Sequence, residues 1–448
     1  MRRGARLAVA TAAAFALFVI GGIGLWRTTA SSTPAAAVGS VQHRQAGTLS
    51  ESPLIATASL SQAIASLQNR LRLLPRDWRS FAGLGLAYVQ EARITADPSY
   101  YPKAQGVLRR SLALNRAQND VAAIGMGALA AARHDFGAAL AWGRRAERIN
   151  PYDDNVYGVI GDAQTELGEY PQAFATVQHM VELKPQLSSY SRISYQLELR
   201  GQVSLAISTM RDALSAAGTP EDAAWSSNQL GDLFWNSGRL GAAARAYRDA
   251  TEFDASFVPP LAGLANVAWA RGDLPGAIRR YRSVVARYPL PQYVITLGDM
   301  YAEAGQTDEA SREYALVRTE EALFRANGVN VDLELALFDT DHGDVRAGLA
   351  AARSEWRRRH SILVADALAW ALFRSGDARS AIRYERTAMS LGMRNALFFF
   401  HAGMIERALG RSSPARADLR TALAINSNFS VQHAGEARAA LRSLGGAG

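Results

Sequence analysis

A chain of 448 residues without a cysteine excludes disulfides, thiolate metal sites and attachment through a lipid-modified cysteine. Its hydrophobic fraction of 48%, rich in Ala and Leu, suits closely packed helices rather than a disordered or collagen-like chain. The net charge of +8 is weak ground for a nucleic-acid partner: Arg2, Arg3, Arg6 and Arg27 flank one apolar segment, and the remaining charges are scattered over mixed-sign faces.

That apolar segment comes first. Leu7 to Trp26 is a twenty-residue uncharged stretch preceded by three arginines, long enough in helical form to span the hydrocarbon core of a bilayer. The arginines favour the cytoplasmic side, which puts the rest of the chain on the far side of the membrane. The competing reading is a cleaved signal peptide, with Thr28-Thr29-Ala30 or Ala35-Ala36-Ala37 at the cleavage site and the chain secreted. Residues 1–27 are therefore an anchor or signal segment, and residues 28–57, rich in Ser, Thr, Ala and Pro, a flexible tether.

From residue 58 a spacing repeats. Between Asp154 and Leu187, Tyr157 is followed by Ile160-Gly161, Gly168, Tyr170, Ala173, Val177, Met180 and Pro185, and the preceding proline of this kind, Pro151, lies 34 residues before Pro185. Gly161 and Ala173 leave room for two backbones to cross, Gly168 suits a helix end with positive φ, and Pro185 cannot continue a helix. Leu230-Gly231, Phe234, Gly238, Ala243 and Tyr247 recur 34 residues on as Leu264-Ala265, Ala268, Gly272, Ala277 and Tyr281. Leu297-Gly298, Tyr301, Gly305, Ala310 and Tyr314 continue the series, and Leu368-Ala369 and Gly376 resume it. Two copies, beginning near Leu187 and Val329, lack the Leu-Gly pair.

This spacing resembles the tetratricopeptide repeat. The resemblance implies an all-α fold: a right-handed α-solenoid of about ten helical hairpins over residues 58–428, with a capping helix and tail over 429–448. It also implies a non-catalytic scaffold that binds a partner protein or peptide in the concave groove. In the family, groove side chains follow the aromatic, the Gly and the Tyr of each first helix. Carried onto this chain, those positions are Asn228, Asp232 and Trp235, then Asn266 and Trp269, then Asp299. The bland alternative is that they fill contacts between neighbouring first helices. The groove carries aspartates where carboxylate-clamping relatives carry Lys and Arg, which disfavours an acidic ligand and favours a basic or polar one. A second functional reading is a recognition or regulatory subunit of a separately encoded envelope enzyme or transporter.

No hydrolase, kinase, Walker or dinucleotide motif is present, so no cofactor and no small-molecule substrate is expected. The seven histidines share no metal-ligand spacing and read as surface or helix-end residues. Arg357-Arg358-Arg359-His360 reads as a solvated helix end, with an anion or phospholipid site as the alternative. In Leu397-Phe398-Phe399-Phe400 the repeat register places Phe399 in the core and Phe398 or Phe400 against the neighbouring unit or the groove. The insertion Glu91–Tyr101 is expected to fold back over the first units or to present two tyrosines to a partner.

Overall fold

The computed structural model describes residues 60–445, so the anchor or signal segment and the tether lie outside the described residues. The described residues form 22 α-helices and no strand, and none of these helices is long and apolar enough to cross a membrane.

A lone helix α1 (Leu60–Leu73) precedes the hairpin α2 (Trp78–Thr95) and α3 (Tyr100–Leu114). Next come α4 (Asp120–Ala132) with α5 (Phe136–Ile149), and α6 (Asp154–Leu167) with α7 (Tyr170–Leu183). Then follow α8 (Leu187–Leu199) with α9 (Val203–Ser215), and α10 (Pro220–Asn236) with α11 (Leu240–Phe253). The second half continues with α12 (Pro259–Ala270) and α13 (Leu274–Arg287), then α14 (Pro291–Glu303) and α15 (Thr307–Ala326). It goes on with α16 (Asp332–His342) and α17 (Val345–Arg358), and α18 (Ile362–Arg374) with α19 (Ala378–Ala388). The last hairpin, α20 (Ala396–Ala408) and α21 (Ser412–Ile425), is followed by α22 (His433–Ser443). Ten hairpins thus stand between two single helices.

The hairpin turn is written in two adjacent residues. Gly272 ends α12 at φ 87°, and the next residue, Asp273, caps α13 by accepting the Gly276 amide at 2.9 Å. Gly376 and Asp377 repeat the device at the turn into α19. His134 takes the glycine's place before Asp135 and still adopts φ 58°, a conformation that an ordinary side chain rarely holds.

Within a hairpin, the glycine of the Leu-Gly pair lets the second helix come close. A Cβ on Gly231 or Gly298 would run into the ring of Tyr247 or Tyr314 respectively, and Gly263 abuts Tyr247 from the next unit. Tyr247 is buried to 1% exposure in this way, and Tyr281 reaches the same 1% against a unit that carries Ala265 in place of the glycine. In the α8/α9 unit, one of those that lack the glycine, Ser194 fills the position and its hydroxyl donates to the Ala206 carbonyl at 2.8 Å.

Three sequence expectations are corrected. Phe398 and Phe400 are fully buried whereas Phe399 is half-buried, because α20 presents the even positions to two different core clusters. His401 and His433 are core residues, each 1% exposed, and not surface or helix-end groups. Arg359 is not solvated either: it is 4% exposed and pairs with Glu166 and Glu355. The Glu91–Tyr101 insertion lengthens α2 by about a turn; Tyr101 joins the core while Tyr100 packs at 5.8 Å from Tyr88.

The solenoid closes on itself. Five contacts join residues 191 to 196 positions apart: Tyr288 to the Arg93 carbonyl, His134 to the Asn330 carbonyl, Arg359 to Glu166, the Ile362 amide to the Tyr170 hydroxyl, and the Asn426 amide to the Trp235 carbonyl. At roughly 34 residues per unit this separation is between five and six repeats, one complete turn of the superhelix. The second turn sits on the corners of the first. A Cβ on Gly168 would meet the His360 carbonyl, one on Gly201 the Gly392 carbonyl, and one on Gly238 the Ile425 oxygen at 2.6 Å. Gly305 and Gly410, at equivalent helix ends, meet nothing.

Candidate functional site

Three of the six groove positions of the sequence reading are occupied by a recurring internal bond, and a fourth, Asn228, shares it. The Tyr247 hydroxyl donates to Asp232 at 2.8 Å, Tyr281 to Asn266 at 2.8 Å and Tyr314 to Asp299 at 2.9 Å, each across 15 residues from second helix to first. Asp232 also accepts from Asn228 at 3.0 Å, and Asp299 accepts from His342 at 3.1 Å. Burial pushes the Asp232 carboxyl up to about 7, with the Tyr247 hydrogen bond opposing it and Glu198 adding to it. Trp269 is half-buried and donates its indole N–H to Glu303 at 2.7 Å, one unit further on. Trp235, 7% exposed, is the residue of the six that faces the interior space of the superhelix.

That space is a partly open cavity of about 220 Å³ between the two turns. First helices build its walls: α2, α4, α6, α8 and α10 from the first turn, α16 and the start of α20 from the second. Apolar and aromatic faces come from Tyr195, Trp235, Tyr288, Leu363, Met393 and Phe429. Ionic groups punctuate them. Arg192 forms a two-pronged bond to Asp162 at 2.8 and 2.7 Å, and Gly158 leaves room for its guanidinium. Arg359 lies over the Phe136 ring while it holds Glu166, so both guanidinium groups are already matched by carboxylates.

Glu198 differs from these. It is 6% exposed, faces the cavity, and accepts a hydrogen bond from the Asn236 amide at 3.1 Å, with no ion pair among the described residues. Burial pushes its carboxyl up to about 7, the Asn236 bond pulling the other way. A group poised at neutral pH in an aromatic-lined space is suited to meet a hydrogen-bond donor or a cation from a ligand. The sequence reading missed Glu198 and Arg192 because the copy that carries them has no Leu-Gly pair to fix its register. The one visible signal was composition: α8 buries Ser188, Ser189, Ser191, Arg192, Ser194 and Glu198, an unusual polar load for a core helix.

The family comparison bears on one unit directly. Residues 226–257 match the tetratricopeptide repeat. They span the α10/α11 hairpin, which carries Asn228, Asp232, Trp235 and Tyr247. No curated protein matches the chain in sequence. Among solved structures, a tetratricopeptide repeat protein from Parabacteroides merdae is 15% identical, with 58% of this chain covering 98% of that one at a TM-score of 0.35. The human IFIT1 dimer with PPP-AAAA is 13% identical, with coverage of 81% and 86% and a TM-score of 0.45. Yeast Tom70 is 13% identical, with coverage of 79% and 86% and a TM-score of 0.40. Superpositions this loose carry no argument about partner or chemistry.

Proposed function

We propose that this chain is a non-catalytic protein-interaction scaffold and that the inner cavity receives a short basic or amide-bearing segment of its partner. The observation that carries this reading is Glu198: a buried carboxylate without an ion pair among the described residues, facing an aromatic-lined space in which Arg192 and Arg359 are already matched by Asp162 and Glu166. A donor from the partner completes that arrangement, and Trp235, Tyr195 and Tyr288 supply apolar contact around it. The scaffold stands on the far side of the cytoplasmic membrane, held there or exported through Leu7–Trp26; the uncharged run behind three arginines supports this.

Crosslinking capture from intact cells tests the site, with Glu198→Gln removing the charge and Met393→Trp filling the space. Partners lost in both variants, with helical content unchanged, support the cavity. Partners retained in both but lost with Trp269→Ala move binding to the outer edge of the groove. An alkaline phosphatase fusion after Gly448 tests the topology: an inactive fusion places the repeats in the cytoplasm and overturns that part of the reading.

A further inference from the structure

Three consecutive helices bring together three buried groups that the cavity does not use. Asp366 on α18, Glu385 on α19 and His401 on α20 are 0%, 1% and 1% exposed. One potential ligand atom from each lies within 4.8 Å of the other two. His401 Nδ1 is 2.7 Å from Asp366 Oδ1. Both oxygens of Glu385, and Oδ2 of Asp366, have no hydrogen-bond partner. No Lys or Arg forms an ion pair with either carboxylate among the described residues; the further charge acting on Glu385 is the acidic Asp418 on α21, with Glu406 beyond it, while the His433 ring lies 6.1 Å from that of His401.

A buried carboxylate without donor or counter-charge is costly, and two of them sharing one site with no cation are costlier. Burial and the Asp366 charge push the Glu385 carboxyl well above its usual range, and burial with Glu406 raises Asp418 to about 6. The surroundings offer no relief: Leu368, Ala369, Ile382 and Ile405 form the adjoining core cluster, and the Trp370 ring stacks on His401 at 4.1 Å. The arrangement supplies an imidazole nitrogen and two carboxylate groups with spare lone pairs, with one potential ligand atom of each within 4.8 Å of the others.

We propose that Asp366, Glu385 and His401 form a structural site for a divalent first-row transition ion, Zn²⁺ or Mn²⁺, which fastens α18, α19 and α20 together. One imidazole with two carboxylates suits these ions, whereas Ca²⁺ and Mg²⁺ prefer oxygen alone and Cu(I) prefers sulfur. Zinc takes nitrogen and oxygen ligands at about 2.0–2.2 Å, so rotamer shifts of Glu385 draw the three donors inward. The ion takes the place of the proton in the His401–Asp366 contact. Trp370 against the imidazole then reports on occupancy, because it also anchors its indole N–H on Asp341 at 2.7 Å and cannot turn freely.

The full chain is expressed in medium supplemented with Zn²⁺ and, separately, with Mn²⁺, then gel-filtered and subjected to elemental analysis, because a buried site loads during folding. The expected result is close to one ion per chain from one of the two media. Glu385→Gln and Asp366→Asn are expected to lower that content at least tenfold while helical content stays unchanged, whereas His179→Gln on the exposed surface leaves it alone. Chelator treatment of the wild type is expected to shift the unfolding midpoint downward and to change tryptophan emission, and neither change is expected in Glu385→Gln. Less than half an equivalent from both media overturns the proposal, as does a Glu385→Gln variant that retains the metal. A metal-free wild type that becomes more stable on Glu385→Gln overturns it too, since the cluster is then a carboxylate pair sharing a proton.

Discussion

Arg359 reaches across the seam of the superhelix to Glu166, 193 positions earlier in the chain, while its other nitrogen holds Glu355 on its own helix. This is the most buried of the ion pairs joining the two turns. Burial raises the Glu166 carboxyl and the Arg359 charge lowers it, so the pair stays ionised only as a pair.

Arg359→Met therefore leaves Glu166 buried without a counter-charge and is expected to cost about 3–5 kcal/mol of apparent unfolding free energy. Adding Glu166→Leu to the same chain is expected to recover most of that loss. Urea denaturation of the two single variants and the double variant measures the coupling. Strictly additive losses would show that the two side chains do not meet.

Gly201 and Gly305 both end first helices with positive φ, 70° and 76°, but only Gly201 presses on another turn. Gly305→Ala is expected to cost about 1 kcal/mol for the left-handed backbone. Gly201→Ala meets that same cost and also pushes a methyl group into the Gly392 carbonyl, so its loss is expected to be at least twice as large. Melting temperatures of the two variants, compared side by side, decide it. Equal losses would mean that the turns are not in contact there.

Asp232 gives the fold a pH dependence with a defined sign. Its carboxyl is held near 7 in the folded chain against 3.8 for an ordinary aspartate, so the folded state binds the extra proton between those values. Its stabilising contribution is complete below pH 4 and is lost as pH rises through 7. The next unit places Asn266 under Tyr281 in the same geometry, which shows that an amide satisfies the hydroxyl. Asp232→Asn is accordingly expected to stabilise the chain by about 4 kcal/mol at pH 8 and by only about 1 kcal/mol at pH 4.5. Denaturation at both pH values checks it.

Tyr281→Phe removes the hydroxyl that Asn266 accepts and leaves the amide oxygen without that donor. The expected cost is about 1 kcal/mol, and it should vanish in a background where Asn266 is already Ala. A double-mutant cycle by chemical denaturation reads the coupling. Loss of partner capture in Tyr281→Phe without loss of stability would instead assign Asn266 to a ligand.

The hairpins were legible because their signal is local. Gly231 and Tyr247, or Gly298 and Tyr314, sit within one 34-residue period and recur, so each copy supports the others. Position-by-position detail was less legible. Asp232 and Asn266 occupy the places that the groove reading assigned to ligand contact, yet the tyrosine hydroxyls already use them, and a sequence pattern does not say which partner a polar group takes. In Phe398-Phe399-Phe400 a one-residue error of register exchanged buried and half-buried rings. The seam was not legible. Its contacts join residues about 190 positions apart, and that distance follows from small rotations summed over several units, which leave no periodic trace. Arg359 looked like a solvated helix end because Glu166, its counter-charge, belongs to the other turn.

Closure of the superhelix also restricts how such a chain changes length. Repeat arrays ordinarily grow and shrink by duplicating or deleting whole units, since each unit touches only its neighbours. Here the Asn426 amide must find Trp235 and the Ile362 amide must find Tyr170, so the intervening stretch acts as a measured spacer. One hairpin gained or lost between α10 and α13 would carry every one of the five seam contacts past its partner by a full unit. Duplications are tolerable at the ends, beyond α1 or α21, and forbidden in the middle. The turn behaves as a ring of fixed circumference, not as a spring of arbitrary length.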